Sequence, residues 1–237
     1  MSGALLEVAD LNIRFGAQEA VRGVSFALGR ERLGIVGASG AGKSLIGRAI
    51  LRLLPPRARM SATRLVFDGI DIAAGDRRQM RALRGKRIGL VLQDAKFSLN
   101  PAMTIGAQIA EAFRAHHGVP RAAARERTLA ALAAVQLDAT RVAALYPHQL
   151  SGGMGQRAML AMMLAPDPDL LIADEPTSAL DATTAQQVLA VLDEQMRRRG
   201  MGLIFISHDL DLVAGFCDRV LVLEAGEIVE RCAAAYL

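Results

Sequence analysis

The sequence predicts an α/β fold with a mixed sheet and an inserted helical subdomain, and three observations support this fold class. An apolar run over Leu33 to Val36 leads through a glycine-rich loop into a helical pattern. Strand and helix patterns alternate again from Leu170 onwards, whereas Ser98 to about Leu164 is helical throughout. We therefore expect a single domain over 1–237 with these parts: a core lobe over 1–93 and 165–237, and a helical subdomain over 94–164.

The composition suits a globular chain with a sizeable core and disfavours nucleic-acid binding. Hydrophobic residues make up 52% of the 237, but aromatic residues make up only 4% and Trp is absent, which leaves few platforms for base stacking. The net charge of +4 is too weak for a nucleic-acid footprint. Cys217 and Cys232 predict free thiols in a reducing compartment. Since neither a signal peptide nor a membrane-spanning run is visible, we expect a cytoplasmic chain that can dock onto a membrane protein.

The N-terminal third predicts strands joined by glycine turns. Leu5 to Phe15 alternates loosely between apolar and polar residues, Val24 to Leu28 is also predicted as a strand, and Gly16 and Gly23 supply turns between them. The elements that follow are a hairpin of Leu65–Phe67 with Ile70–Ile72, a basic helix from Arg77 to Lys86, and a strand from Ile88 to Leu92.

The glycine-rich loop fits the pattern G-x-x-x-x-G-K-[ST] of a P-loop. Its residues are Gly37, Ala38, Ser39, Gly40, Ala41, Gly42, Lys43 and Ser44. Backbone N–H groups of such a loop and the positive end of the next helix, Leu45 to Leu54, form a phosphate cradle. Lys43 would reach the β- and γ-phosphates and the Ser44 hydroxyl would ligate Mg²⁺. A turn that binds nothing is the alternative, and the flanking strand and helix disfavour it.

The helical stretch contains a second candidate anion site. Ser151 reads as the N-cap of a helix over Met154 to Leu164, with Gly152 and Gly153 directly behind it. Each glycine in a helix costs about 1 kcal/mol relative to alanine, and close approach to a phosphate would justify that cost. Plain helix capping is the alternative. The other helices predicted here are Ile105–Ala115 and Ala122–Val135.

A buried strand over Leu170 to Ala173 ends in two acidic residues. Asp174 at the strand end can hold Mg²⁺ through its water shell, and Glu175 can orient and partly deprotonate an attacking water. An acidic turn is the alternative, which the P-loop makes less attractive. The elements beyond it are a helix over Thr184–Arg197, a strand over Leu203–Ile206, a helix over Leu210–Phe216, and strands over Val220–Leu223 and Ile228–Val229.

Taken in order, these motifs resemble the ATP-binding subunit of ABC transporters over about Leu6 to Glu230. The segments that carry the resemblance are Gly37–Ser44, Gln93, Leu150–Met154, Leu170–Glu175, Ser178–Asp181 and His208. Within that family, the sequence resembles the peptide/nickel importer branch. The segments that carry this resemblance are Gln93-Asp94, Ser98–Pro101, Tyr146–Gln149 and Leu171–Thr177, together with Met154.

The resemblance implies roles at the matching positions. Gln93 would ligate Mg²⁺ or the attacking water, giving a metal set of Ser44, Gln93 and Asp174. His208 would contact the γ-phosphate and act with Glu175. Phe15 would stack on adenine, and Asp181 would lie at a dimer interface. Ser151, Gly152 and Gly153 would bind the γ-phosphate of ATP held by a second ATPase subunit.

The function implied is an ATPase that powers import of peptides or nickel, lying peripherally on the cytoplasmic face of the inner membrane. Its expected partners are a second ATPase subunit in a homo- or heterodimer, transmembrane permease subunits, and indirectly a periplasmic or extracellular substrate-binding protein. Gly155 departs from the branch, which usually has Arg there, and the family's usual C-terminal extension is not seen.

Two alternative functions explain less of the sequence. A soluble ABC-type ATPase acting on nucleic acid or ribosomes would need a long coiled coil between the P-loop and Leu150, or a second cassette. A small-molecule kinase would leave Ser151 to Met154 unexplained. We therefore expect no nucleic-acid partner.

Overall fold

The computed structural model describes residues 3–93 and 98–237, so Asp94 lies outside the described residues. The chain folds as two compact units. Unit 1 comprises Met1–Arg84 and Met201–Leu237, and unit 2 comprises Gly85–Gly200. The division into a core lobe and a helical subdomain at residues 94 and 164 stays a prediction.

Unit 1 contains an antiparallel sheet. Its strands are β1 (Leu6–Phe15), β2 (Gln18–Leu28), β4 (Ala58–Ser61), β5 (Arg64–Phe67) and β6 (Ile70–Asp71). Their order in the sheet is β2-β1-β5-β6, and β4 also pairs with β1. The two long strands, β1 and β2, alternate buried and exposed residues because one face of the sheet packs on the core.

The second set of strands in unit 1 includes the strand that the P-loop follows. β3 (Arg32–Val36) lies parallel to both β9 (Gly202–Ile206) and β10 (Arg219–Glu224), and β11 (Glu227–Ala233) is antiparallel to β10. Nearly every residue of β3 and β9 is buried, as expected for parallel strands covered on both faces. The unit's helices are α1 (Lys43–Ile50), α2 (Arg77–Leu83), α8 (Leu210–Phe216) and a 3₁₀ turn at Ala234–Tyr236.

Unit 2 combines one parallel strand pair with a group of helices. β7 (Ile88–Val91) pairs with β8 (Leu170–Asp174), whose five residues are all buried. The helices are α3 (Ile105–His117), α4 (Arg121–Ala134), α5 (Ala139–Ala143), α6 (Gly152–Leu164) and α7 (Ala182–Arg199), with a 3₁₀ turn at Pro147–Gln149. A side-chain cap begins α3, α5, α6 and α7, which explains why these helices start where they do.

The α/β fold with mixed strands and a helical stretch is confirmed, although several boundaries differ. The predicted helix Leu45–Leu54 starts at Lys43 and ends at Ile50, so Leu53 and Leu54 lie beyond it. The predicted helix Arg77–Lys86 ends at Leu83. The sequence patterns missed β4 and α5, which are too short for a clear period.

The two cysteines are free, as predicted. Burial raises the pKa of the Cys217 thiol to about 12, so this thiol stays protonated and unreactive at neutral pH. No helix among the described residues is long and apolar enough to cross a membrane.

Candidate nucleotide-binding site

The predicted site residues are divided between the two units. Unit 1 carries Phe15, Gly37–Ser44 and His208, and unit 2 carries Gln93, Ser151–Gly153, Asp174, Glu175 and Asp181.

In unit 1 the P-loop connects the end of β3 to the start of α1, and two of its glycines are required by close backbone contacts. A Cβ atom on Gly37 would lie 2.1 Å from the Leu223 carbonyl oxygen, and one on Gly42 would lie 2.7 Å from the Ala20 carbonyl oxygen. Gly42 is also left-handed, with φ of 101°, at the N-cap of α1. The loop is therefore held against β10 and β2 by contacts that any larger residue would break.

The outer part of the loop remains open to a ligand. Ala38, Ser39 and Gly40 are exposed, and a Cβ on Gly40 would meet no heavy atom within 4 Å. No side chain caps the first turn of α1, so the helix N-terminus relies on its backbone N–H groups. Open space beside a helix N-terminus without a side-chain cap fits a phosphate.

Lys43 supplies the positive charge of the loop. Its side chain is 6% exposed, and its ammonium donates hydrogen bonds to the carbonyl oxygens of Gly37 and Ala38 at 2.8 and 3.0 Å. Carbonyl groups carry no formal charge, so these contacts hold the ammonium in place without neutralising it. A buried cation held this way across the loop favours a polyanionic ligand.

His208 lies at the same end of the strands as the P-loop. The Ser207 N–H donates to the Ile35 carbonyl at 3.2 Å, next to the point where β3 ends. The turn is held by the Asp209 N–H, which donates to the Ser207 hydroxyl at 3.1 Å. His208 itself is exposed, so its imidazole is accessible to a ligand at this edge.

Phe15 ends β1 and is half-buried, paired in register with Gln18 on β2 and Ala58 on β4. An aromatic ring in this position keeps one part of its surface available for contact with a planar base.

In unit 2 the two acidic residues follow one another at the carboxyl end of β8 but have different environments. Asp174 is 7% exposed at the end of the strand, whereas Glu175 is half-buried in the turn that follows. Glu175 has a φ of 49°, which is uncommon for a residue with a side chain. The Ser178 backbone N–H and hydroxyl both donate to the Glu175 carbonyl, at 3.3 and 3.2 Å. A strained backbone that neighbouring hydrogen bonds hold in place is typical of functional positions.

Ser151 caps α6 as predicted, since its hydroxyl accepts a hydrogen bond from the Met154 N–H at 3.3 Å. The two glycines behind it differ. A Cβ on Gly153 would lie 2.1 Å from the Thr184 methyl carbon, so packing against α7 already requires this glycine. A Cβ on Gly152 would meet only Leu180, at an ordinary 3.5 Å, and Gly152 is exposed. Of these two glycines, Gly152 is therefore the one that packing does not require.

Asp181 caps α7 and contacts the same threonine. Its two carboxylate oxygens accept hydrogen bonds from the Thr184 N–H at 3.0 Å and from the Thr184 hydroxyl at 2.7 Å. These two bonds lower the pKa of Asp181 because they stabilise the ionised carboxylate. Thr184 therefore contacts both Asp181 and Gly153, and it links the start of α7 to the start of α6.

Gln93 and the start of α6 line one cavity of about 100 Å³ within unit 2. Gln93 lies just past β7 and is exposed, and Ser151 and Gly152 line the same space. The structure therefore brings together two motifs that are far apart in sequence.

The sequence analysis missed Gln156, which also lines this cavity. Gln156 is 3% exposed, and among the described residues its Nε2 atom has no hydrogen-bond partner. A buried donor of this kind is uncommon. Its signal in the sequence is a polar residue on the otherwise apolar face of α6.

The predicted metal set of Ser44, Gln93 and Asp174 contains a single carboxylate. Within residues 3–93 and 98–237, no group of three or more His, Cys, Asp or Glu side chains could hold a metal ion by itself. A hydroxyl, an amide and one carboxylate instead suit Mg²⁺, which keeps several waters and takes substrate phosphates as further ligands.

Known proteins resemble this chain over most of its length. The family model for ABC transporters matches residues 21–178. The chain is 47% identical over 234 residues to a probable peptide ABC transporter ATP-binding protein of Sinorhizobium fredii, covering 96% of this chain and 70% of that protein. It is 44% identical over 234 residues to the oligopeptide transport ATP-binding protein OppD of Bacillus subtilis, covering 95% of this chain and 65% of that protein.

A solved structure supports the same relationship. The fold matches the ATP-binding cassette MJ0796, solved as a dimer in a post-hydrolysis state with ADP and phosphate, with a TM-score of 0.83 and 26% identity. The match covers 97% of this chain and 98% of the cassette chain.

Proposed function

This chain belongs to the ABC transporter family and is an ATPase, and on that premise we propose that it powers the import of peptides across the cytoplasmic membrane. The two relatives described above are named for peptide and oligopeptide transport, which favours peptides over nickel as the cargo. They also support a position on the cytoplasmic face of the membrane, with permease subunits and a substrate-binding protein as partners.

In the proposed mechanism, the P-loop of unit 1 holds the nucleotide. Backbone N–H groups at the start of α1 and the Lys43 ammonium bind the β- and γ-phosphates, and Phe15 stacks on the base. Ser44, Asp174 and Gln93 would hold Mg²⁺, which when bound would neutralise charge on the phosphates. The open space beside Gly40 supports this part of the proposal.

Glu175 is proposed as the base that orients the attacking water, and His208 as a contact for the γ-phosphate. A carboxylate can accept a proton from that water as it attacks phosphorus. The left-handed backbone of Glu175 supports this role because it fixes where the side chain leaves the strand.

Ser151, Gly152 and Gly153 are proposed to contact ATP held by a second ATPase subunit, with Asp181 at the same interface. The exposed cap of α6 supports this, because a helix N-terminus attracts anions. The dimeric state of the similar cassette supports a homo- or heterodimer. The division into a core lobe, 1–93 and 165–237, and a helical subdomain, 94–164, belongs to the same proposal.

The observation that carries the proposal is the buried ammonium of Lys43 held over an open, glycine-rich helix N-terminus. The experiment that tests its catalytic half is Glu175→Gln, which removes the proposed base and keeps the side-chain size. We expect ATP to bind and the dimer to form, while turnover falls by about a hundredfold or more.

The matched control is Glu194→Gln, an exposed glutamate on α7 of the same unit. Its turnover should equal that of the unmodified chain. Turnover by Glu175→Gln at the control's level would remove Glu175 from the mechanism, and loss of ATP binding would show a structural role instead.

A further inference from the structure

One surface of unit 1 carries the positive charge excess of the whole chain. We call it the arginine face and define it as residues 48–57 and 75–84. Its arginines are Arg48, Arg52, Arg57, Arg77, Arg78, Arg81 and Arg84, and its only acidic residue is Asp76. The rest of the chain then holds 21 basic and 23 acidic residues, from totals of 28 and 24. The net charge of +4 therefore comes from these twenty positions.

The two segments of the arginine face are joined by hydrogen bonds. The Arg52 guanidinium donates to the Gly75 carbonyl just before α2. The Arg84 guanidinium donates to the carbonyl oxygens of Leu51 at 2.8 Å and Arg52 at 3.0 Å, just after α1 ends. Since α2 has seven residues and is only about 10 Å long, its exposed side chains lie close to the end of α1.

Four arginines of this face are exposed to solvent. Arg57, Arg77, Arg78 and Arg81 are all exposed, and in the part of the chain that the structure describes none of them forms an ion pair. Asp76, the one carboxylate of this face, caps α2 by accepting the Gln79 N–H at 2.7 Å, and its single charge leaves six of the seven arginine charges unbalanced. The clustered like charges repel one another, so an anionic surface would stabilise them.

An exposed leucine lies within this cationic surface. Leu53 is 46% exposed in the loop after α1, and it is followed by the exposed Pro55 and Pro56. The Leu53 N–H donates to the Arg48 carbonyl at 2.8 Å, which holds the loop at the helix end. An exposed apolar side chain in a segment that carries several arginines is typical of segments that lie at a bilayer surface.

We propose that the arginine face binds the anionic headgroups of a lipid bilayer, with Leu53 entering the boundary of the acyl region. Guanidinium groups bind phosphate through two parallel hydrogen bonds, so a row of lipid phosphates matches several arginines at once. The face contains no aromatic residue on which a nucleic-acid base could stack. The proposal does not depend on the transported cargo.

The first test uses the absence of tryptophan from the chain. Leu53→Trp introduces a single tryptophan at the proposed insertion point. With phosphatidylcholine vesicles that also contain phosphatidylglycerol, we expect a blue shift of its emission and quenching by brominated lipid. Vesicles of phosphatidylcholine alone should give neither change, and high salt should reverse the shift. An unshifted emission with the anionic vesicles would overturn the proposal.

The second test measures co-sedimentation of the full chain with the same anionic vesicles. The triple variant combines Arg77→Gln, Arg78→Gln and Arg81→Gln. It keeps Arg52 and Arg84, because their hydrogen bonds to backbone carbonyls join the two segments of the face. Each arginine near an anionic surface raises partitioning about fivefold, so the triple variant should bind about a hundredfold more weakly. Retained nucleotide binding checks that this variant is folded.

The matched control combines Arg125→Gln, Arg127→Gln and Arg141→Gln, three exposed arginines of unit 2 with the same total charge. This control should keep its vesicle binding. An equal loss in both triple variants would mean that net charge alone drives binding and would overturn the proposal. Tight binding of the unmodified chain to polyglutamate but not to vesicles would also overturn it, in favour of an acidic protein partner.

Discussion

The P-loop of unit 1 and the capped start of α6 in unit 2 are both glycine-containing helix N-termini, but they are built differently. Gly37 and Gly42 are left-handed or tightly packed, and no side chain caps α1. The start of α6 has Ser151 as a cap and helical glycines, and the cation of its own helix, Arg157, is half-buried and donates to the carbonyl oxygens of Gly153 at 3.4 Å and Gln136 at 2.8 Å. The P-loop therefore offers N–H groups and the Lys43 charge together, whereas α6 offers mainly its dipole.

This difference indicates how strongly each region can bind a phosphate alone. A helix N-terminus contributes only about 0.3–1 kcal/mol to an exposed anion, whereas hydrogen bonds to a charged group contribute about 1.5–3 kcal/mol each. The P-loop should therefore bind nucleotide in the isolated chain. The α6 cap should contribute once a second subunit presents a nucleotide to it.

The largest expected effect comes from Lys43→Ala, which removes the charge that distinguishes the two regions. We expect ATP affinity, measured by calorimetry, to fall by about a hundredfold or more, because at least two charge-assisted hydrogen bonds are lost. Lys86→Ala, which changes an exposed lysine of unit 2, should leave affinity unchanged. Full ATP affinity in Lys43→Ala would contradict the phosphate-binding role of the loop.

The two glycines of α6 provide the next comparison, since alanine should affect them in opposite ways. Gly153→Ala places a methyl group against Thr184, and we expect a loss of about 1–3 kcal/mol in unfolding free energy from overpacking. Gly152→Ala has room for its methyl group and should keep or slightly raise stability, yet lower turnover by obstructing a phosphate. Denaturant unfolding and ATPase assays separate the two effects. Equal behaviour of both variants would contradict this distinction.

Ser151→Ala tests whether the α6 cap serves only the helix. Loss of the cap should cost about 1 kcal/mol in unfolding free energy. We also expect turnover to fall while ATP binding to the isolated chain is unchanged, because the proposed contact is to the partner's nucleotide. Thr104→Ala is the matched control, since Thr104 caps α3 in the same way through the Ala107 N–H. If Thr104→Ala lowers turnover equally, the Ser151 effect is one of stability alone.

The smallest effect concerns the acid dependence of the α6 region through Asp181. The Thr184 hydrogen bonds lower its pKa in the folded state. At pH values between the folded and the unfolded pKa of Asp181, the folded chain therefore binds fewer protons than the unfolded chain. Its contribution is complete above the ordinary value of about 3.8 and is lost as the pH falls below it. Asp181→Asn should therefore lose less stability than the unmodified chain on acidification below pH of about 4, as measured by thermal unfolding. An identical acid dependence would show that the cap makes no difference.

Much of the candidate site could be predicted because its motifs are local. The P-loop, the Ser151 cap and the acidic end of β8 each depend on residues within about one turn or strand of each other, and each was found where predicted. The order of strands and helices was likewise predictable, because periods of 2 and 3.6 are visible in a short window. Apart from the missed β4 and α5, the differences lie at element ends, as at Ile50, where the apolar pattern continues past the end of the helix.

Tertiary structure decided the features that depend on residues distant in sequence. The contact of Gly153 with Thr184, the pairing of β4 with β1, and the cavity shared by Gln93 and Gln156 each join segments at least thirty positions apart. The arginine face also arises from two separate segments held together by Arg52 and Arg84. The sequence alone determined which residues carry charge, caps and glycines. Which of them meet, and how deeply Lys43 or Gln156 is buried, depends on packing that no local period encodes.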